Sequence, residues 1–207
     1  MKGLLLKDFY MLCKHFRYFL LFIIVFLFAS LFTNDSFFLF YSCVFSGMIP
    51  YSLLSLDQSS KWNEYSETLP YTKAQLVSAK YLIGLIIESA VLFLSSIIAG
   101  VGMHLSGSFR WSDLFSLMST LLAMGYIAPA ILLPFVFKLG VEKGRLAYMV
   151  MIGFACAAST IVSHLSVTDP KVTGHSSAIL PLFCLGAIGI YALSWYLSIV
   201  FYRKREI

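Results

Sequence analysis

Apolar runs long enough to cross a membrane recur along the whole chain, and they constrain the fold more than any motif does. A helix needs about 20 mostly apolar residues to cross roughly 30 Å of hydrocarbon. Six segments approach or exceed that length: residues 18–33, 37–56, 81–105, 114–137, 146–165 and 178–202. Only 12% of the residues are charged, about half the usual share of a soluble domain. The sequence therefore predicts an all-α polytopic membrane protein, with residues 1–207 forming one transmembrane domain of six helices.

The positive charges are distributed unevenly between the predicted loops. If the N-terminus is cytoplasmic, 13 of the 15 Lys and Arg residues fall on the inner side, and only Arg110 and Lys171 fall outside. Short loops rich in Lys and Arg are retained in the cytoplasm, so both termini are predicted to be cytoplasmic. This topology explains the net charge of +5. Because the cations are spread over several short segments, they do not indicate a nucleic-acid-binding patch.

Residues 1–17 combine basic residues with a helical apolar repeat. One side of a helical wheel carries Leu5, Phe9, Leu12 and Phe16, and the other carries Lys7 and Lys14. Such a helix is typical of the membrane interface, and we expect it to bend into the first span. The alternative is that it extends the short first span inward, with Arg17 snorkelling to the headgroups. A cleaved signal peptide is not indicated, because the apolar run leads into a second span without an A-x-A site.

Residues 57–80 form the longest polar stretch, between the second and third predicted spans. Asp57 and Ser59 could cap a short amphipathic helix. Its apolar residues recur at helical spacing: Trp62, Tyr65 and Leu69. This helix would lie across the cytoplasmic ends of the two spans. Alternatively, its aromatic residues anchor the loop among the lipid headgroups.

The second half of the loop carries a stop signal and a start signal. Pro70 ends the short helix. Thr72 followed by Gln75 forms a T-x-x-Q capping box, which predicts a new helix that begins near Lys73 and runs straight into the third span.

Two segments carry a resemblance to a known family: the start, MKGLLLKDFY, and the loop, D-x-x-x-K-W-x-x-Y-x-x-x-L-P-Y-T-K-x-x-x-V-x-x-K-Y-L. Over essentially its whole length, the chain resembles the permease subunits of ABC-2-type transporters. More narrowly, it looks like small six-span bacterial permeases that include exporters of antimicrobial and cytolytic peptides, such as the phenol-soluble modulin exporter permeases. The resemblance implies an ABC-2 exporter fold in a bacterial cytoplasmic membrane. It also implies ATP-driven outward transport of an amphipathic or hydrophobic substrate such as a peptide.

In that family, the helix corresponding to residues 57–70 is a cytoplasmic coupling helix that docks into a separate ATP-hydrolysing subunit. The resemblance therefore implies an ATPase-coupling contact made by Lys61, Trp62, Glu64, Tyr65, Glu67, Leu69 and Pro70. It also implies a second permease, either an identical copy or a related chain. The sequence contains no G-x-x-x-x-G-K-[ST] phosphate loop, so ATP and Mg²⁺ are expected on the partner ATPase and no cofactor on this chain. The basic inner loop at residues 138–145 could form a smaller second contact.

Glu88 is the one ionisable residue predicted to lie well inside a span, about two turns into the third. A charged side chain that faces lipid costs roughly 2–4 kcal/mol, so we expect Glu88 to face the bundle or a cavity. It could contact a cationic part of the substrate or act in gating. It could equally be a structural glutamate, protonated or bonded to hydroxyls such as those of Ser52 or Ser89. A proton-relay transporter is not indicated, because the spans carry no second acid, Lys or Arg at this depth.

The predicted outer surface carries three histidines and two aspartates: His104, His164, His175, Asp113 and Asp169. No H-x-x-x-H or H-E-x-x-H spacing joins them, so no metal site is predicted. The four isolated cysteines indicate neither a disulfide framework nor a metal site. By resemblance, residues 167–180 would form a re-entrant element before the last span.

Two other function classes are alternatives to transport. A membrane-embedded enzyme is not expected, because the chain lacks the G-x-S-x, paired-aspartate and H-E-x-x-H patterns of intramembrane hydrolases. A non-transporting membrane partner, such as an immunity or assembly factor with a permease-like fold, would keep the same spans. Dependence on an ATPase subunit distinguishes an exporter from such a partner.

Overall fold

A computed structural model of the chain describes residues 2–33, 36–107, 109–141, 143, 144, 146 and 176–204. Regular structure in this part of the chain is entirely α-helical. The helices are α1 (Lys2–His15), α2 (Arg17–Thr33), α3 (Ser36–Gly47), α4 (Ile49–Ser59), α5 (Trp62–Glu67), α6 (Lys73–Leu105), α7 (Trp111–Leu139) and α8 (Ser176–Lys204). The predicted all-α class is confirmed.

Four stretches of these helices are long and apolar enough to cross a membrane: Phe37–Ser59, Lys73–Leu105, Trp111–Lys138 and Cys184–Arg203. They correspond to the second, third, fourth and sixth predicted spans. A further crossing would use α1 and α2 together, and these two helices are bent by 76° where they meet at Phe16. The bend separates α1 from α2; the place of α1 in the membrane interface stays a prediction. Beyond residue 146, the fifth predicted span lies outside the described residues.

The buried side of α1 differs from the predicted one. Leu4, Asp8 and Leu12 are buried, whereas Phe9, which was expected on the apolar side, is 56% exposed. The buried stripe is rotated because the Asp8 carboxylate points into the protein, where it meets two lysines. A helical wheel that places every charged residue outside cannot reproduce this orientation.

Two large groups of buried side chains hold the helices together, and a small third group packs α7 against α4. The first joins α1 to α4 with α6 and α7, and the second joins α6, α7 and α8 around Tyr81. The Tyr81 ring stacks on Trp195 at a centroid distance of 5.7 Å, and its hydroxyl lies 2.7 Å and 2.6 Å from the hydroxyls of Ser194 and Ser198. A buried tyrosine needs a partner for its hydroxyl, so these serines fix the register of α8 against α6.

The second span is interrupted at Met48, between α3 and α4, and Pro50 occupies the first turn of α4. Proline is tolerated there because the N–H groups of a first turn have no helical partner. Small residues allow close approach at this point. A Cβ on Gly84 would lie 2.6 Å from Pro50 Cγ, and a Cβ on Gly47 would lie 3.0 Å from the carbonyl oxygen of Gly125. The four helices α3, α4, α6 and α7 therefore meet closely beside the break.

Candidate functional site

The polar loop folds as a chain reversal followed by a short helix. α4 continues to Ser59, the chain turns at Lys61 with φ 53°, and α5 covers only Trp62–Glu67. The predicted caps are therefore wrong: Asp57 and Ser59 lie inside α4, and no side-chain cap precedes α5. A non-glycine residue in the left-handed region costs about 1–2 kcal/mol. The short helix of the loop covers fewer residues than predicted because α4 continues through Asp57 to Ser59.

The helix after the loop begins where the sequence predicts. The Thr72 hydroxyl accepts a hydrogen bond from the Gln75 N–H at 3.3 Å, and the Gln75 side chain accepts one from the Thr72 N–H at 3.2 Å. This confirms the capping box. α6 then runs without a break from Lys73 to Leu105. Its capped first turn and the predicted third span therefore belong to one continuous helix.

α5 presents an aromatic pair. The ring centroids of Trp62 and Tyr65 are 5.5 Å apart, and Tyr65 is 58% exposed while Trp62 is half-buried. The helix thus has an outward aromatic surface and an inward one. Of the other predicted contact residues, Lys61 and Pro70 are exposed, Leu69 is half-buried, and the side chains of Glu64 and Glu67 lie outside the described part of the structure.

Next to α5, four charged side chains form a closed ring of alternating sign, here called the charge ring. The Lys7 ammonium lies 2.8 Å from Asp57 and 3.3 Å from Asp8. The Lys80 ammonium lies 2.7 Å from Asp8 and 2.5 Å from Asp57. Both aspartates and Lys80 are at most 5% exposed. The charges sum to zero, which makes their removal from water tolerable, and the ring joins α1, α4 and α6.

Lys7 links the charge ring to α5. Its ammonium lies 3.9 Å from the centroid of the Trp62 ring, within the range of a cation–π interaction. One side chain of α1 therefore contacts α4 and α5 at once. A cavity of about 40 Å³ adjoins the ring and is lined also by Leu76 and Tyr202. Its size suits one or two water molecules, and the charge ring supplies polar groups on one wall.

The loop after α7 contacts the end of α4. The Val141 N–H donates a hydrogen bond to the Gln58 side-chain oxygen at 3.0 Å, and the Tyr51 hydroxyl donates one to the Val141 carbonyl at 3.5 Å. The two loops that are predicted to be cytoplasmic therefore meet at one end of the bundle. An ATPase contact by residues 138–145 stays a prediction.

Glu88 faces the inside of the bundle and is 2% exposed. Its Oε2 accepts a hydrogen bond from the Ser46 hydroxyl of α3 at 2.5 Å, and its Oε1 has no hydrogen-bond partner among the described residues. The expected partners were wrong. Ser52 and Ser89 donate instead to backbone carbonyls of the preceding turn, a common alternative for serine in a helix.

Gly125 of α7 makes room for the Glu88 carboxyl group. A Cβ at this position would lie 2.6 Å from Glu88 Cδ, so only glycine fits without a rearrangement. Glu88 thus connects α6 with Ser46 on α3 and lies against the backbone of α7. This arrangement is that of a polar helix–helix contact; a role of Glu88 towards substrate stays a prediction.

Among the described residues, no group of three His, Cys, Asp or Glu side chains could hold a metal ion. His104 lies in the last turn of α6 and Asp113 in the first turn of α7. His164, Asp169 and His175 lie outside the described residues. So do residues 167–175 of the predicted re-entrant element, whereas residues 176–180 begin α8.

The charge ring was not predicted from the sequence, although a signal for it exists. Asp57 closes one apolar run and Lys80 opens the next. Charged residues that border two consecutive spans come together when the spans pack side by side. The adjacent Lys7 and Asp8 supply one charge of each sign on a helix that enters the same end of the bundle.

These features define the class: a multi-pass, all-α membrane protein that presents a short aromatic helix between two spans and ties it to them through buried charges. Residues 3–203 match the family model described as ABC-2 family transporter protein. Because the match covers nearly the whole chain, the protein belongs to the ABC-2 transporter family, as the resemblance implied. Neither a curated protein nor a solved structure matches the chain. Family membership supports a permease role in an ABC transporter, a component that is generally non-enzymatic and works with an ABC ATPase.

Proposed function

We propose that this chain is the permease subunit of an ATP-driven exporter in a bacterial cytoplasmic membrane, with both termini in the cytoplasm. In this proposal α5 docks onto an ABC ATPase, and that partner binds ATP and Mg²⁺. A second permease, identical or related, completes the transport path. The cargo is an amphipathic or hydrophobic molecule such as a peptide, and it moves outward.

One observation carries the proposal: α5 exposes Tyr65 on one side and contacts the helix bundle through Trp62 on the other. The Trp62 ring contacts Lys7 of the charge ring. A displacement of α5 would therefore reach α1 directly and reach α4 and α6 through the ring. A buried ion pair is a poor stabiliser compared with apolar packing, so stability alone gives little reason for four charges here.

A covalent route runs parallel to this electrostatic one. Five residues, 68–72, separate α5 from the capped start of α6, and the exposed Pro70 lies among them. The capping box holds the first turn of α6 closed, so movement of the connection would turn or shift the helix as a unit instead of unwinding its end. In alternating access, the ATPase must favour one conformation of the permease over the other. A partner changes such an equilibrium only through contacts that differ between the two conformations.

The proposed cargo class rests on the aromatic surface of α2 and α3. The Phe26 ring lies 5.9 Å from Phe45 and 6.3 Å from Tyr41, and Phe22 extends the same group. Phe22 and Tyr41 are 55% and 43% exposed. A broad apolar surface with aromatic edges suits amphipathic molecules, and it would be available either to cargo or to a second permease.

The test compares two exposed aromatic residues at opposite ends of the bundle. The chain is co-expressed with a candidate ABC ATPase from the same organism, and ATPase co-purification and ATP hydrolysis by the complex are measured. Tyr65→Ala should reduce both at least about tenfold, because hot-spot aromatics contribute about 2 kcal/mol or more to an interface. Trp111→Ala, at a residue that is 76% exposed at the N-terminus of α7, should change neither.

Two results would overturn the proposal. If the native chain purifies without an ATPase, or if Tyr65→Ala retains both ATPase co-purification and ATP hydrolysis, then α5 is not a coupling helix. A non-transporting immunity or assembly factor would explain the first result. Monodisperse elution of Tyr65→Ala in detergent provides the folding control, because the Tyr65 ring contacts only Trp62 among the described aromatic residues.

A further inference from the structure

A groove opens between α7 and α8, in the half of these helices nearer to the charge ring. Its floor is formed by the small buried residues Ala130 and Ser194, and its rims by the exposed side chains of Ile131, Phe135 and Leu193. The volume is about 420 Å³, within the range of about 300–1,000 Å³ that is usual for small-molecule sites. The walls are apolar apart from Ser194, whose hydroxyl bonds with that of Tyr81.

The groove is about as long as one leaflet of a membrane. It runs along α7 from Ala130 to Lys138 and along α8 from Ile190 to Phe201. At 1.5 Å per residue, these segments are roughly 12 and 16 Å long. Half of a bilayer's hydrocarbon core is roughly 15 Å thick. An extended acyl chain of one leaflet therefore matches the groove in length.

The side chain of Lys138 places a positive charge at one end of the groove. Lys138 is exposed, and its ammonium lies 5.1 Å from the centroid of the Phe201 ring. Within the described part of the chain, no carboxylate pairs with Lys138. The distribution of cations predicts that this end faces the cytoplasm, where the leaflet carries anionic lipids. Lys138 would then lie at the level of their headgroups.

We propose that the groove binds one acyl chain of an anionic phospholipid of the cytoplasmic leaflet, with the phosphate at Lys138. A zwitterionic lipid would fill the apolar walls, but the cation of its own headgroup would offset the phosphate charge that faces Lys138. A second copy of this chain would bury the same ammonium in an apolar interface, which is costly without an anionic partner. An anionic phospholipid satisfies both the apolar walls and the cation, and this inference holds whether or not the chain transports anything.

The test measures lipid association in reconstituted bilayers. Spin-labelled phosphatidylglycerol and phosphatidylcholine with identical chains are compared by the fraction of each that the protein immobilises. The native protein should prefer phosphatidylglycerol about fivefold, the factor that corresponds to about 1 kcal/mol for one basic residue near an anionic surface. Lys138→Gln should abolish the preference, and Lys138→Arg should keep it. Lys143→Gln, which removes an exposed cation just beyond the end of α7, should leave it unchanged.

The source of the bound phosphate is tested separately with glycerol phosphate, which has the headgroup chemistry but no chain. If glycerol phosphate does not displace the labelled lipid, the proposal is supported. If it displaces the labelled lipid as well as an unlabelled phospholipid does, the site binds only the anion. Equal immobilisation of the two lipids by the native protein would overturn the proposal. The proposal would also be overturned if Lys143→Gln lost the preference for phosphatidylglycerol to the same extent as Lys138→Gln. Disulfide cross-linking of two Leu193→Cys copies that proceeds regardless of lipid composition would overturn it as well.

Discussion

Alanine at position 125 tests whether Glu88 acts as a polar contact between helices. In the structure, a Cβ on Gly125 would lie 2.6 Å from Glu88 Cδ and 3.3 Å from its Cγ. Both distances are shorter than ordinary carbon contacts of about 3.5–4.0 Å. The carboxyl group of Glu88 must then leave its position, and the hydrogen bond from Ser46 at 2.5 Å is broken.

The expected loss of stability follows from three contributions. Overfilling a packed interior costs about 1–3 kcal/mol, and loss of the hydrogen bond costs about 0.5–1.5 kcal/mol. Replacement of glycine by alanine inside a helix returns about 0.5–1 kcal/mol. The net change in the free energy of unfolding is a loss of about 2 kcal/mol. For a chain of this length, that lowers the unfolding midpoint by about 4–8 °C.

The assay is thermal unfolding in detergent, followed by fluorescence-detected size-exclusion chromatography. Gly189→Ala is the matched control, because a Cβ on Gly189 of α8 would have no described atom within 4 Å; its midpoint should stay the same or rise slightly. In a Glu88→Ala background, Gly125→Ala should cost nothing, since the obstructing carboxyl group is gone. A Gly125→Ala midpoint equal to that of the Gly189→Ala control, or a loss that persists without Glu88, would refute this packing.

Three further changes test the end of the bundle that carries the charge ring. Asp57→Asn leaves the charge ring with excess positive charge and should lower the free energy of unfolding by about 3–5 kcal/mol. Adding Lys80→Gln restores neutrality and should recover much of that stability. Additive losses of stability in the same thermal assay would contradict a coupled ring. Lys61→Gly should retain ATPase stimulation because glycine readily adopts φ 53°. Lys61→Val should lose that stimulation because a β-branched residue disfavours positive φ. Equal losses in the two variants would indicate that the charge of Lys61 matters instead of the turn. Thr72→Ala should cost about 1 kcal/mol and speed hydrogen exchange in the first turn of α6, so unchanged exchange would show that the cap is dispensable.

The features that were predicted correctly depend on short stretches of sequence. The crossing of the membrane by α6 and α7 follows from unbroken apolar runs, because each run is long enough on its own to span the hydrocarbon. The start of α6 follows from Thr72 and Gln75, which need only each other to satisfy two N–H groups. The family resemblance follows from the same loop, so the permease class could be predicted without the structure.

The contacts that were missed depend on the tertiary arrangement. Lys7 and Asp57 are 50 residues apart in the chain, and nothing local shows that Asp57 continues α4 instead of capping the next helix. The partner of Glu88 depends on the break at Met48. Ser46 lies before this break and Ser52 after it, so a wheel drawn for one continuous helix does not give their true relative directions.

The charge ring has a property that a single ion pair lacks, because each lysine contacts both aspartates. If an ATPase pulled α5 outward and Trp62 drew Lys7 with it, Lys80 would still bind Asp8 and Asp57 and keep α1, α4 and α6 together. The ring would then hold one excess negative charge, which the adjoining cavity of about 40 Å³ could hydrate. The cost of that charge would favour the return of Lys7 once the ATPase released α5. In the proposed exporter, the buried charges would thus let α5 move without separating α1, α4 and α6. They would also favour the return of α5 to its original position.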